Sequence, residues 1–137
     1  MYALRTLLST TLLATVLSLS AYGQSITVKD GSYNTRLRIE GDIIKDNGYN
    51  IVGRIDGDLI KDGSYNVIAR IEGNLIKDGS YNVIGRLDGD LVKDGSYAIV
   101  GRIDGNTIKD GSYNIVGRID GAPRSKQLVA ILYFLVL

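Results

Sequence analysis

The stretch Asp58–Asn74, which reads DLIKDGSYNVIARIEGN, contains one complete unit of the repeat that decides the fold. The repeat has a period of sixteen residues and runs from about Ile26 to Gly121. One aromatic residue returns once in each of its six units, at Tyr33, Tyr49, Tyr65, Tyr81, Tyr97 and Tyr113. Internal repetition at this short period predicts a closed or stacked array of small, nearly identical units.

Each unit has the composition of a β-hairpin. Short stretches rich in Ile, Val, Leu and Tyr are bounded every eight or so residues by Asp-Gly or Glu-Gly. This spacing suits strands of about 5 residues joined by tight turns. The recurring glycines leave no window of about 11 residues in which a helical apolar stripe could form. The repeat region therefore predicts about twelve short strands and an all-β fold.

The two Asp-Gly pairs in a unit predict its turns, because Asp-Gly is typical of two-residue hairpin turns. A turn at Asp62-Gly63 pairs Ile60 with Tyr65, and a turn at Asp56-Gly57 pairs Ile60 with Gly53. Both turns assign the same faces by alternation along the strand. The predicted inward face is Tyr49, Ile51, Gly53, Ile55 and Ile60, and the predicted outward face is Asn50, Val52, Arg54, Leu59 and Lys61.

Substitutions between units support this division. The position of Gly53 is Leu37 or Ala69 in two other units and is never charged, whereas the position of Val52 accepts Arg36. The small residue at Gly53 either makes room for bulky neighbours near a crowded axis or marks a β-bulge. In the second unit, a turn centred on Asn47-Gly48 would slide the pairing by two residues, which preserves both faces.

The beginning of the chain has the pattern of a secretory signal peptide over residues 1–23. Arg5 precedes an apolar run from Leu7 to Leu19, and Ala21-Tyr22-Gly23 places small residues at a cleavage site before Gln24. We therefore expect an exported protein, located in the periplasm, on the outer surface or in the medium. An uncleaved membrane anchor is the alternative, although the run is short for a span of about 20 residues.

The repeat domain, residues 24–121, is followed by a linker and an apolar C-terminal segment, residues 122–137. Pro123 marks the end of the repeat, and Leu128–Leu137 is an uninterrupted apolar decamer. Ten residues are too few for a transmembrane helix. A strand that is apolar on both faces has to be buried on both, so we predict that it packs into or across the ring of hairpins. The alternative is a contact with a membrane or a protein partner, including self-association.

Charge and composition exclude several classes of function. The chain has sixteen Lys and Arg, of which Arg5 belongs to the predicted leader, against fifteen Asp and Glu. This balance argues against nucleic acid or an acidic membrane as an electrostatically attracted partner. The chain contains no His, Cys or Trp, which removes the commonest bases, thiolates and metal ligands. We therefore predict no enzymatic activity, no catalytic residue and no cofactor.

Two repeated features remain as candidate sites. Asp56-Gly57-Asp58 resembles part of a calcium loop, but it lacks the further acidic residues and the terminal glutamate of an EF-hand, so turn chemistry explains it better. The six tyrosines are the best candidates for a binding rim, because repeated aromatic rings can present a multivalent surface. The inward face assignment instead places them above the core.

Repeats such as Lys109–Gly121, which reads KDGSYNIVGRIDG, followed by a very hydrophobic C-terminal segment, resemble the bacterial β-flower proteins. The resemblance covers nearly all of the mature chain. It implies hairpin petals around a central axis and no established biochemical activity. Those families are described with four or five petals, whereas six hairpins are counted here, so five or six petals remain open.

Two functional classes follow. The first is an exported structural or interaction protein that acts by display and assembly. The second is a multivalent binding module for a glycan or another component of the cell envelope, which uses Asn, Asp and Arg at the rims of the repeats.

Overall fold

The structure, a computed structural model, describes residues 25–137, so the predicted leader and its cleavage site lie outside the described residues. The described chain forms twelve strands and one C-terminal helix. They are β1 (Ser25–Lys29), β2 (Thr35–Glu40), β3 (Ile43–Lys45), β4 (Ile51–Asp56), β5 (Leu59–Lys61), β6 (Val67–Glu72), β7 (Leu75–Asp78), β8 (Val83–Asp88), β9 (Leu91–Lys93), β10 (Ile99–Asp104), β11 (Thr107–Asp110), β12 (Ile115–Asp120) and α1 (Ser125–Val136).

The strands form a closed antiparallel barrel in which each strand pairs with its neighbours in sequence. Closure is made by β1 and β12, where Val28 lies opposite Ile119. Inside the chain, Ile60 lies opposite Ile55 in the equivalent register. The first and last strands therefore pair as two strands joined by a short hairpin turn do, although no turn connects them. This confirms the predicted all-β closed array of six hairpin repeats, in which no edge strand is left unpaired.

The strands are connected by two different kinds of turn, and neither is the predicted Asp-Gly turn. The short turn is the two-residue segment Gly57-Asp58, between the paired residues Asp56 and Leu59. Its glycine has a φ of 59°, and positive φ at the first central position is typical of a type II′ hairpin turn. The other connection is a five-residue loop, Asp62–Asn66, between the paired residues Lys61 and Val67.

We call these connections short turns and long loops, and the two ends of the barrel the short-turn rim and the long-loop rim.

The predicted pairings of Ile60 with Tyr65 and Gly53 are wrong, since the partners of Ile60 are Ile55 and Ala69. The strand pairing of the second unit is not shifted by two residues. Its Lys45 pairs with Ile51 as Lys61 pairs with Val67, so Asp46–Asn50 forms an ordinary long loop.

A β-bulge follows every long loop and changes the faces of the strand. Ile44 lies opposite Gly53 and Lys45 opposite Ile51, so Val52 is an extra residue between them. Val52 packs partly against the core, while its neighbour Ile51 is half-buried outside the core cluster. The predicted faces of these two residues are therefore wrong. The inward positions of Gly53, Ile55 and Ile60 are confirmed.

The barrel interior is built from three rings of side chains, one residue from each unit in each ring. The ring from the short strands is fully buried and consists of Val28, Ile44, Ile60, Ile76, Val92 and Ile108. A second ring, nearest the short-turn rim, consists of Ile39, Ile55, Ile71, Leu87, Ile103 and Ile119. The third ring contains mostly glycine and consists of Leu37, Gly53, Ala69, Gly85, Gly101 and Gly117.

Helix α1 fills the barrel. Ala130, Ile131 and Leu132 are fully buried within the same hydrophobic cluster as the strands. Its last turn reaches the glycine ring, where a Cβ added to Gly53 would lie 3.0 Å from the ring of Phe134. Gly85, Gly101 and Gly117 face Leu137, Val136 and Leu135 in the same way. The small residues therefore make room for the helix, and both sequence interpretations of Gly53, a bulge nearby and a crowded axis, apply.

The prediction that the C-terminal segment packs into the ring is confirmed, but the prediction that it is a strand is wrong. A closed barrel offers no free strand edge inside it, so the backbone N–H and C=O groups of an inserted strand would be unpaired and buried. A helix pairs these groups internally. Among the described residues, no helix has the length and apolar character needed to cross a membrane.

The short-turn rim holds the beginning of α1. Gln127 is buried, and its side-chain amide nitrogen donates to the carbonyl oxygen of Gly41 at 2.9 Å. Its amide oxygen accepts from the backbone N–H of Arg124 at 2.8 Å, as a helix cap. Arg124 and Lys126 also form exposed ion pairs with Asp42 and Asp58 at the same rim. The helix therefore enters at the short-turn rim and points its last turn toward the long loops.

Candidate functional site

Each long loop is organised by the aspartate that begins it. In the loop at Asp62, one carboxylate oxygen accepts from the backbone N–H groups of Ser64 at 2.8 Å and Asn66 at 2.9 Å. The other oxygen accepts from the side-chain amide of Asn66 at 3.0 Å. These bonds stabilise the ionised form, so the pKa of Asp62 is lowered from its usual value. The pKa values of Asp30, Asp46, Asp78 and Asp110 are lowered by equivalent hydrogen bonds to Asn34, Asn50, Asn82 and Asn114.

The fifth loop is a natural variant of this arrangement. Ala98 stands where the other loops have asparagine. Asp94 still accepts from the backbone N–H groups of Ser96 at 2.8 Å and Ala98 at 3.0 Å. The loop keeps its conformation, so the backbone bonds to the aspartate are sufficient to shape it.

The tyrosine of each long loop has a left-handed backbone. Tyr65 has a φ of 69°, and its N–H donates to the carbonyl oxygen of Asp62 at 3.1 Å. The residue is 64% exposed. All six repeat tyrosines share the positive φ and are 60–65% exposed. The predicted inward position and core packing of Tyr33, Tyr49, Tyr65, Tyr81, Tyr97 and Tyr113 are therefore wrong.

The reason is the length of the loop. A two-residue turn would place Tyr65 in a strand opposite Ile60, with a side-chain direction set by the pleat. In the structure, the tyrosine is the fourth residue of a five-residue loop and precedes the strand. Its left-handed conformation then turns the ring outward along the wall of the barrel.

Every repeat tyrosine is covered on one side by an arginine from the preceding long strand. The guanidinium carbon of Arg54 lies 4.2 Å from the centre of the Tyr65 ring, within range of a cation–π interaction. The other pairs have distances of 4.1–4.5 Å and are Arg38–Tyr49, Arg70–Tyr81, Arg86–Tyr97, Arg102–Tyr113 and, across the seam, Arg118–Tyr33. We call these six contacts the Tyr–Arg pairs.

The sequence indicated that Arg54 faces outward but did not reveal its pairing. The two residues are eleven positions apart in the five pairs that do not cross the seam, and that constant offset was the available signal. The predicted registers hid it, because they placed tyrosine and arginine on opposite faces of the sheet.

The arginines of these pairs lack acidic partners in the described part of the chain. Lys61 forms an ion pair with Asp56 at 2.7 Å, and four other repeat lysines have the same kind of partner. No ion pair within residues 25–137 includes a paired arginine, and the buried Nε atom of each has no hydrogen-bond partner there. Arg118 donates only a long bond, 3.5 Å, to the carbonyl oxygen of Gly31.

A groove runs beside the Tyr–Arg pair on the outer wall. At β3, β4 and β5 it has a volume of about 250 Å³. Its lining includes Asp42, Ile43, Arg54, Asp56, Lys61 and Tyr65. The aromatic ring, two cations and two carboxylates therefore meet on one open surface.

The acidic residues do not gather into a metal site. Asp56 is held by Lys61, and Asp58, two residues later, contacts Lys126 at 3.1 Å. Within the described chain, no cluster of three or more acidic residues has the arrangement needed to hold a metal ion. Asp58 is the second residue of a short turn, and Asp56 is the last strand residue before that turn.

Comparison with known proteins identifies this architecture. The family described as 5-fold beta-flower protein matches residues 25–136, which include the whole barrel and all of α1. The chain belongs to this β-flower family. No curated protein and no solved structure matches it. In this β-flower protein, five short turns connect the strands and six long loops carry the Tyr–Arg pairs.

Proposed function

We propose that this β-flower protein is an exported, non-enzymatic interaction protein that binds a repeating ligand through its Tyr–Arg pairs. The observation that carries the proposal is the tyrosine in left-handed backbone, exposed and paired with arginine, in all six units. The predicted leader supports export. The absence of His and Cys from the sequence supports a non-enzymatic role.

Stability alone does not account for tyrosine at this position. A left-handed conformation costs a residue with a side chain about 1–2 kcal/mol, and glycine avoids this cost. An exposed cation–π contact returns only about 0.5–1 kcal/mol. The stacking therefore does not exceed the strain, and the ring remains largely in water. Strained, exposed residues are typical of sites that contact another molecule.

The circular repetition supports a multivalent ligand. Six pairs are arranged around the wall of one rigid barrel, with the pair Arg118–Tyr33 closing the ring across the seam. Weak contacts at several such positions add to a much stronger total affinity when the ligand is a polymer or a decorated surface. A single pair offers little area, so the affinity of an isolated ligand unit is expected to be low.

The alternative function of display and assembly is proposed here without self-association through the C-terminal segment. Self-association through Leu128–Leu137 would require residues that are inside the barrel, because Ile131 and Leu132 are fully buried. Display by this protein is therefore proposed to use the outer wall and not the apolar segment.

The experiment is a binding screen of the purified protein without its leader against immobilised glycans and cell-envelope fractions. A variant with all six repeat tyrosines changed to glycine removes the rings and suits the left-handed backbone. We expect this variant to keep its melting temperature and to lose binding. A matched control changes the five loop serines to alanine, because their backbone N–H groups bond to aspartate independently of the side chain. They are Ser32, Ser64, Ser80, Ser96 and Ser112.

Equal binding by the tyrosine variant and the wild type would disprove the proposed site. Export is tested separately by sequencing the N-terminus of the protein recovered from outside the cytoplasm. An N-terminus at Gln24 is the expected result.

A further inference from the structure

We infer that the ligand is a hydroxyl-rich, uncharged polysaccharide and that each sugar unit lies in the groove beside a Tyr–Arg pair. This inference depends on the proposed function, since it names the chemical class that the repeated site would bind. It follows from the mixture of groups in the groove, the substitutions between units and the charge of the protein.

The groove combines a stacking surface with both kinds of hydrogen-bonding group. Tyr65 is 64% exposed, and the guanidinium of Arg54 lies against its aromatic ring. Arg54 and Lys61 supply donors. The carboxylates of Asp42 and Asp56 are ion-paired with Arg124 and Lys61, and each keeps further acceptor sites. A sugar ring has an apolar face that packs on an aromatic ring and hydroxyl groups that each donate and accept. Such a ligand uses every group in the groove.

The charge balance favours an uncharged ligand. In the groove at Tyr65, two cations stand beside two carboxylates. An anionic ligand drawn to Arg54 would also approach Asp42 and Asp56, and a cationic ligand would approach Arg54 and Lys61. The described chain has as many acidic as basic residues, so no long-range field attracts a polyanion.

At the second residue of the short turn, every unit with such a turn keeps an acceptor oxygen, while the charge varies between units. Asp42 is replaced by asparagine in two of the five units with a short turn, and the five residues are Asp42, Asp58, Asn74, Asp90 and Asn106. Both side chains present a carbonyl-type oxygen. A site that needed a carboxylate, for a cation or for catalysis, would not tolerate the amide equally well.

If the Tyr–Arg pairs alone bound the ligand, there would be six equivalent sites. The seam removes the acceptor from one of them, so the inference predicts a different number of sites. At the sixth position, beside Arg38 and Tyr49, the residue equivalent to Asp42 is Ile26, which is buried and has no acceptor in its side chain. By sequence equivalence with the groove at Tyr65, five of the six Tyr–Arg pairs have an acceptor side chain at the position of Asp42. Titration with a short neutral oligosaccharide is expected to give five sites per chain, not six.

The test uses an array that contains dextran, mannan and cello-oligosaccharides together with polygalacturonate and heparin. We expect binding to at least one neutral polymer, with an affinity that changes less than about threefold between 50 and 500 mM NaCl, because salt screens only charge–charge attraction. Titration of the wild type with the matching oligosaccharide should shift the ring resonances of the repeat tyrosines in NMR spectra.

Variants at the short turns test the acceptor. The triple variant D42N, D58N and D90N should bind within about twofold of the wild type. The quintuple variant D42A, D58A, N74A, D90A and N106A should weaken binding to a polymer at least about tenfold, since the loss at each groove multiplies across a multivalent ligand. A quintuple variant that binds normally, or a triple variant that loses binding, would overturn the role assigned to the acceptor.

The outcomes separate this inference from the proposed function. Binding only to polygalacturonate or heparin, abolished by salt and by loss of the tyrosines, would overturn the neutral ligand while keeping the Tyr–Arg site. Tyrosine-dependent binding to an envelope fraction with no response to any polysaccharide would also overturn it. Binding that does not depend on the tyrosines would overturn both.

Discussion

The two rims of the barrel make their turns from the same dipeptide and use it in opposite ways. At the short-turn rim, the glycine after the aspartate has the positive φ, as Gly57 shows with 59°. At the long-loop rim, Gly63 does not have a positive φ, and Tyr65 has the left-handed backbone at 69°. At the short-turn rim, glycine takes the positive φ without strain, and this rim also holds the start of the helix. The other places a strained, exposed aromatic residue in every unit. We propose that recognition uses the tyrosines of the long-loop rim together with the acceptor residues of the short turns, while the short-turn rim also holds the start of the helix.

The largest effect is expected from removing the element that both rims surround. Deleting Leu128–Leu137 should abolish soluble folding or lower the melting temperature sharply. Fully burying one Leu or Ile side chain contributes about 1.5–3 kcal/mol, and a domain is stable by only about 5–15 kcal/mol. Ile131 and Leu132 are both fully buried inside the barrel. Thermal unfolding and size-exclusion chromatography measure the result.

Lys126→Ala is the control for the deletion, because its exposed ion pair with Asp58 is worth at most about 1 kcal/mol. A truncated protein that stays monomeric, soluble and equally stable would show that α1 is a detachable contact for a membrane or a partner.

Acid should act next, and mainly on the long-loop rim. The pKa values of Asp30, Asp46, Asp62, Asp78 and Asp110 are lowered by loop hydrogen bonds. Groups with a lowered folded pKa contribute stability above their unfolded value of about 3.8 and lose it as the pH falls through the folded value. Stability should therefore fall below about pH 4 and show little of this dependence between pH 5 and 8. Denaturant unfolding at a series of pH values measures it.

A smaller effect is expected from substitutions that test the positive φ of the short-turn glycine. Gly57→Val should destabilise by about 1–3 kcal/mol, because a β-branched residue is poorly suited to positive φ. Gly57→Asn is the matched control, since asparagine tolerates the left-handed region, and it should lose less stability. Equal losses in the two variants would mean that backbone conformation does not set the cost at this turn.

The smallest effect is expected from the tyrosine itself. Tyr65→Gly removes a cation–π contact and relieves a strained backbone, so the free energy of unfolding should change by less than about 1 kcal/mol. Asn66→Ala should also change it little, because Ala98 already occupies that position in the fifth loop. A loss of several kcal/mol in Tyr65→Gly would show that the repeat tyrosines are structural and would weaken the proposed function.

The pattern of the sequence predicted the parts of the fold that depend on local chemistry. The sixteen-residue period, the glycines and the β-branched residues were sufficient for twelve strands, six hairpins and closure. The inward positions of Gly53, Ile55 and Ile60 were also predictable, because strands alternate between faces. The length of the loop that begins at Asp62 was not predictable, since Asp-Gly suits both a two-residue turn and the start of a longer loop. Every error in the position of the tyrosines followed from that choice.

The sequence by itself determined the repeat, the strand content, the neutral charge and the apolar character of the last ten residues, because these follow from composition and spacing. Tertiary structure alone decided that Leu128–Leu137 belongs to a helix, since only a closed barrel lacks a strand edge to which the segment could pair. It also decided that Tyr65 meets Arg54 across neighbouring strands. That contact depends on register, which one bulge and a five-residue loop set and which no single repeat reveals.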